Sequence, residues 1–138
     1  MVLADQASKA WVQSKFSLFD SVALLPFLSL TYVHNTGVSF GMMRSLPGWF
    51  LLAVNALLTA AIYIFWRRRM AAGPGRWESR GLLLIFSGAV GNILDRARLG
   101  YVVDFIDLHF WPIFNLADSM ITTGVCCYLV GSLIRQRK

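Results

Sequence analysis

Residues 49–66 read WFLLAVNALLTAAIYIFW. The run has 18 residues, no charge, and a tryptophan at each end. As a helix rising 1.5 Å per residue it would be about 27 Å long, close to the ~30 Å hydrocarbon core of a bilayer. Trp49 and Trp66 suit the two interfaces, where an indole can bury its ring and wet its N–H. Asn55 is the one strongly polar residue inside and reads as a helix–helix contact. Arg67, Arg68 and Arg69 follow, then a Gly/Pro-containing stretch; residues 67–80 hold five Arg and one Glu. By the positive-inside rule this reads as a cytoplasmic loop.

The composition of the whole chain agrees with a lipid environment. Of 138 residues, 57% are hydrophobic and 14% charged, against roughly 25% charged in a soluble domain, and the mean hydropathy is +0.57. A chain this short buries only about two-thirds of its surface on folding and could not cover such an apolar exterior in water. Disorder, a disulfide-stapled secreted scaffold and a soluble nucleic-acid module are all disfavoured. The net charge of +6 is the orienting charge of membrane helices rather than a nucleic-acid footprint. Cys126 and Cys127 are adjacent within an apolar run and read as fillers.

Two more apolar runs follow. GLLLIFSGAVGNILDR begins at Gly81 and meets Asn92, Asp95 and Arg96; FNLADSMITTGVCCYLVGSLI covers residues 114–134 and ends in Arg135, Arg137 and Lys138. With residues 67–80 inside, Asp95 lies at the outer end of one run and Asp118 at the outer start of the next. Eight of the 13 basic residues then fall in the two inner segments, and six of the seven acids fall near the outer face, with Glu78 the exception. Residues 1–48 must begin outside, yet too little apolar sequence precedes Asp5 for a span, and no signal peptide is present. The expectation is a first membrane helix largely truncated, its outer end at about residues 3–12. An outer β region covers about 16–43, from the alternation of Leu28, Leu30 and Tyr32 against Ser29, Thr31 and Val33, with a turn at Asn35-Thr36-Gly37 and a further strand at Tyr101-Val102-Val103. Membrane helices cover about 47–67, 80–96 and 113–134. The fold class is an all-α membrane protein, a bundle with a small extracytoplasmic β-sheet, in one integral-membrane domain over 1–138.

Ionisable groups near a bilayer are functional candidates by default. Asn-x-x-Asp occurs twice, as Asn92/Asp95 and Asn115/Asp118. On a helix, residues three apart share a face, so each pair aims an amide and a carboxylate the same way. Between the copies lie Asp104 and Asp107. Two carboxylates brought close share a proton, one acting as base on water and the other as acid on a carbonyl: the chemistry of aspartyl proteases. Equally, these acids suit pairing with Lys9, Arg96 or Arg98, or helix capping. The residues alone leave both readings open, and do not choose between Asp104 and Asp107. No zinc-ligand motif, nucleophile elbow or phosphate loop is present, and His34 and His109 are isolated. No metal or cofactor is expected.

Five motifs together resemble the lipoprotein signal peptidase (signal peptidase II) family: Asp5-Gln6-Ala7-Ser8-Lys9, Asn35-Thr36-Gly37-Val38-Ser39-Phe40-Gly41, Gly91-Asn92-Ile93-Leu94-Asp95-Arg96, Gly100 to Asp107, and Phe114-Asn115-Leu116-Ala117-Asp118-Ser119. They occur in the family's order and span nearly the whole chain. The resemblance implies four membrane helices with a small extracytoplasmic sheet, in the bacterial inner (cytoplasmic) membrane. It implies an aspartyl endopeptidase that removes signal peptides from prolipoproteins just before a diacylglyceryl-modified cysteine, and that globomycin inhibits. It implies Asp104 and Asp118 as the catalytic pair. Asn92, Asp95, Arg96 and Asn115 would support that pair and the substrate backbone, and Asp5, Lys9, Asn35 and Gly37 would shape the pocket. The competing readings are a non-catalytic scaffold and a small transporter with the Asp residues as a relay; a relay calls for acids at several depths, whereas here they gather at the outer end.

Overall fold

The computed structural model describes residues 1–36 and 48–136. Gly37, the rest of the turn and β region beyond residue 36, and Arg137 and Lys138 lie outside the described residues. The chain runs α1 (Val2–Lys15), β1 (Ser21–Leu25), β2 (Leu28–Asn35), α2 (Gly48–Ala71), α3 (Arg76–Leu99), β3 (Val102–Asp107) and α4 (Leu116–Gln136). Among the described residues, four helices thus accompany one three-stranded antiparallel sheet of order β1-β2-β3. Among the described residues one helix, α4, is long and apolar enough to cross a membrane.

The stretch after Trp66 departs from the loop read in the sequence. Arg67, Arg68 and Arg69 continue α2, and Arg76 already opens α3, so the connection shrinks to residues 72–75. Arginine is a good helix former, so a charged flank does not end a helix. What ends it is Gly73, at φ +65°, followed by Pro74. Glu78 then accepts the Gly75 N–H at 2.7 Å, tying off the first turn of α3. Gly100, at φ +81°, closes α3 with its N–H on the Arg96 carbonyl.

Antiparallel α3 and α4 pack backbone to backbone through Gly81, Gly88, Gly124 and Gly131. A Cβ on Gly81 would lie 2.6 Å from the Gly124 carbonyl oxygen, and one on Gly124 2.7 Å from that of Gly81. Small residues at such a crossing are how helices associate where lipid removes the hydrophobic drive. Gly124→Leu is therefore expected to force the pair apart and lower stability by about 1–3 kcal/mol. Thermal unfolding of the solubilised protein measures it; an unchanged midpoint would contradict this packing.

The sheet lies against α1 and the end of α3. Val12, Tyr32, Val103 and Phe105 form its buried cluster, with Phe16, Leu30, Tyr101 and Ile106 packed against it. Leu30 packs against the same cluster as Tyr32, two residues on, as alternation along β2 predicts, and Ser29 is buried as well. The β2–β3 register shifts between Leu30 and Val33. Ser29 bonds the His109 ring nitrogen at 2.9 Å, which makes its burial tolerable. Beyond the shift, Val33 faces Asp104 across the ladder and His34 faces Val103. Phe114 bridges back to Ile106 by backbone bonds of 2.8 and 3.1 Å, which delivers the chain to the start of α4 beside β3.

Candidate active site

The first turn of α4 builds one carboxylate position. Asn115 is its N-cap: its Oδ1 accepts the Asp118 N–H at 2.9 Å, while Asp118 Oδ2 accepts the Asn115 N–H at 3.3 Å. This is a reciprocal capping box, so the Asn-x-x-Asp spacing fixes the Asp118 rotamer locally. The other oxygen of Asp118 accepts from Asn92 Nδ2 at 2.7 Å.

β3 supplies the second carboxylate. Asp104 is 1% exposed, with Oδ1 on Asn115 Nδ2 at 2.7 Å and Oδ2 on Asn35 Nδ2 at 2.8 Å. Asn115 also reaches the Val103 carbonyl at 3.2 Å and Asn92 Oδ1 at 3.1 Å. The amides of Asn92 and Asn115 are thereby bonded to each other, and each holds one of the two acids. Burial pushes the Asp104 carboxyl up to about 7; nearby Asp118 pushes the same way, while the bonds from Asn35 and Asn115 and the charge of Lys9 pull it down.

Below this pair lies an ion network. Lys9, 2% exposed, reaches Asp5 Oδ2 and Asp95 Oδ2 at 2.9 Å each and Asn92 Oδ1 at 3.0 Å. All three ammonium donors are used. Asp5 Oδ1 accepts the Ala117 N–H at 2.9 Å, so α1 caps α4. Asp95 Oδ2 also accepts the Val103 N–H at 3.2 Å, which anchors β3 one residue before Asp104. The ion pairs among the described residues join Lys9 to Asp5 and Asp95, and Glu78 to Arg69 and Arg135. Among the described residues, Asp104 and Asp118 have no cation at salt-bridge distance. Arg96 acts on both acids, and on Asp95, through longer-range charge.

Beside Asp118 opens a cavity of about 360 Å³, lined by Leu108, Phe110, Trp111, Phe114, Ser119, Thr122 and Thr123. A buried acid of raised pKa, a second acid of fixed rotamer and an adjoining apolar cavity form a unit able to activate water against a bound carbonyl.

A family profile described as Signal peptidase (SPase) II matches residues 1–134. The chain belongs to the signal peptidase II family. The lipoprotein signal peptidase of Shewanella loihica is 37% identical over 99% of this chain and 83% of its own length. That of Pseudomonas paraeruginosa is 41% identical over 97% of this chain and 83% of its own. A solved bacterial membrane enzyme superposes with a TM-score of 0.85 at 30% identity, over 98% of this chain and 84% of its own. As a signal peptidase II, the protein is a membrane aspartic endopeptidase.

Within this signal peptidase, Asp5, Lys9, Asn35, Asn92, Asp95, Asp104, Asn115 and Asp118 are joined by a continuous chain of bonds. Asp107 stands apart: its carboxylate accepts from Thr31 Oγ1 at 2.9 Å and from the His109 N–H at 2.8 Å. The isolated histidines have structural neighbours, His34 stacking on Tyr101 with ring centroids 3.6 Å apart and His109 bonding Ser29. Gln6 was not among the sequence candidates, yet its Nε2 reaches Asp95 Oδ1 at 2.9 Å, Asp5 Oδ2 at 3.1 Å and the Gly91 carbonyl at 3.2 Å. The only sequence signal for Gln6 is adjacency to Asp5.

Proposed function

We propose that this signal peptidase cleaves prolipoprotein signal peptides just before a diacylglyceryl-modified cysteine, with Asp104 and Asp118 as the catalytic pair. It does so at the extracytoplasmic face of the bacterial inner membrane, its helices crossing the bilayer and its sheet outside. The observation that carries the reading is the asymmetry of the two acids. Asp104 is buried and pushed up to about 7, so it holds a proton near neutrality. Asp118 opens onto the apolar cavity.

Water between the two gives its proton to the Asp118 carboxylate as its oxygen bonds the scissile carbonyl carbon. The Asp104 proton passes to the carbonyl oxygen, forming a tetrahedral diol. Its collapse breaks the C–N bond as a proton from Asp118 reaches the leaving amine, and Asp104 recovers its own from the diol hydroxyl. The apolar cavity beside Asp118 suits a substrate that arrives from lipid. Asn92 and Asn115 hold the acids, the Lys9 network sets the spacing of α1, α3 and α4, and Arg96 offers positive charge to developing oxyanions. Cleavage of a diacylated signal-sequence peptide, blocked by globomycin, tests the function. Proton flux in liposomes without any cleavage would favour a transport relay instead.

The proton on Asp104 implies a pH profile. Activity is expected to fall as pH rises through about 7, because the acid form is lost. Asn35→Ala removes a bond that favours the charged carboxylate, so the alkaline limb should move to higher pH. Initial rates from pH 5 to 9 check the sign (an order-of-magnitude window around the titration); a limb displaced downward would contradict the assignment.

A further inference from the structure

The end of the bundle opposite the acids carries a second built site. From Asp118 to Arg135, α4 rises about 25 Å. There six arginines (Arg67, Arg68, Arg69, Arg76, Arg80 and Arg135) share this end of the bundle with one acid, Glu78, among the described residues. Glu78 is fully buried; Arg69 meets its Oε1 at 2.7 Å, and Arg135 its Oε2 at a looser 3.3 Å. One carboxylate cannot neutralise two guanidinium groups, so a positive charge is left over. Arg69 lies over the Tyr128 ring, 5.7 Å from its centroid, and its Nε is buried with no hydrogen-bond partner among the described residues. A buried donor without an acceptor is costly. Arg69, Ala72, Glu78, Ser132, Arg135 and Gln136 line a cavity of about 400 Å³. A second cavity, about 410 Å³, shares Arg135 and is lined by Pro74, Trp77, Gly131 and Ile134 among others. A guanidinium-lined hollow thus adjoins a more apolar one, next to exposed Leu129, Val130 and Leu133 of α4.

We propose that this paired cavity binds the phosphate of an anionic phospholipid headgroup, Arg69 and Arg135 holding the phosphate and the neighbouring slot and outer face of α4 taking the glycerol and acyl chains. The partner is a phospholipid rather than a soluble phosphate because the charged hollow opens onto apolar surface. Guanidinium groups suit phosphate oxygens through paired N–H donors. This inference rests on the reading above that places this end at the cytoplasmic leaflet, where anionic lipid gathers.

The test uses the full chain in phosphatidylcholine nanodiscs with increasing phosphatidylglycerol, followed by unfolding temperature and by lipid retained in native mass spectrometry. Phosphatidylglycerol should stabilise the wild type. Arg135→Gln, at a half-exposed position, should weaken that response about five-fold, the contribution of one basic residue near an anionic surface. Glu78→Gln should strengthen it, because it frees both arginines; a merely structural role would move both variants the same way in phosphatidylcholine alone. Equal response to the two lipids, or an unchanged response in Arg135→Gln, would overturn the proposal. So would an equal shift from millimolar inorganic phosphate, which would make the site one for a soluble anion. Asp104→Asn should lose cleavage and keep the lipid response, so failure of the peptidase reading and failure of the lipid site are distinguishable.

Discussion

Asp104→Asn and Asp118→Asn are each expected to lower the cleavage rate by about 10³-fold or more, with the protein still folded and inserted. Each substitution removes one half of a proton relay while keeping the side chain's shape. At position 104 the new amide can present its oxygen to Asn115 and its NH₂ to Asn35, whose own amide then has to turn over. At position 118 the amide loses one of two accepted bonds, from Asn92 or from the Asn115 N–H, a capping loss of about 1 kcal/mol. Neither change creates a cavity or strands a charge. The double variant should be scarcely worse than either single one, because residues that act as a unit are not additive. Cleavage of a diacylated signal-sequence peptide, alongside an unfolding midpoint for each variant, separates lost chemistry from lost fold. Full cleavage by either single variant would refute the assignment.

The second large effect is on stability. Lys9→Met is expected to destabilise the protein by about 3–5 kcal/mol, the cost of removing one partner from a buried ion network. Asp5 and Asp95 are 0% and 3% exposed and meet across the Lys9 ammonium. Without it two carboxylates face each other away from water, and Asn92 loses a donor as well. The same network caps α4 through Asp5 and anchors β3 through Asp95, so the loss reaches the positions of Asp118 and Asp104. A compensating change supplies the control: Lys9→Met combined with Asp95→Asn should recover part of the loss, since one carboxylate then remains where there were two. Thermal unfolding of the solubilised protein measures both. A wild-type midpoint in Lys9→Met would show that the network does not hold the helices together.

These expectations draw on features of different legibility. The uncharged run at residues 49–66 was readable as a helix because helix length and apolar composition are local properties of the sequence. The pairing of Asn115 with Asp118 was readable as a shared helix face, since i and i+3 are neighbours by backbone geometry alone. The sequence offered helix capping only as one of several roles, and the structure selects the reciprocal capping box. The register shift between Leu30 and Val33 left no mark on the sequence of β2; it depends on how β3 lies beside it. The short 72–75 connection was not legible, because a run of arginines beside an apolar stretch does not break a helix.

By itself, the sequence determined the apolar runs, the sorting of bases to one end and acids to the other, and the presence of several acids near one interface. Only the tertiary structure decided which acids pair with which groups. Asp5 and Asp95 share Lys9, Asp107 joins Thr31, and Asp104 and Asp118 are held by the linked amides of Asn92 and Asn115 without a cation at salt-bridge distance among the described residues. The physical reason is range. Periodicity and charge sorting are set within a few residues along the chain, whereas the partner of a buried carboxylate is chosen by the packing of α1, α3, β3 and α4, as when Asp5 caps a helix 112 residues away.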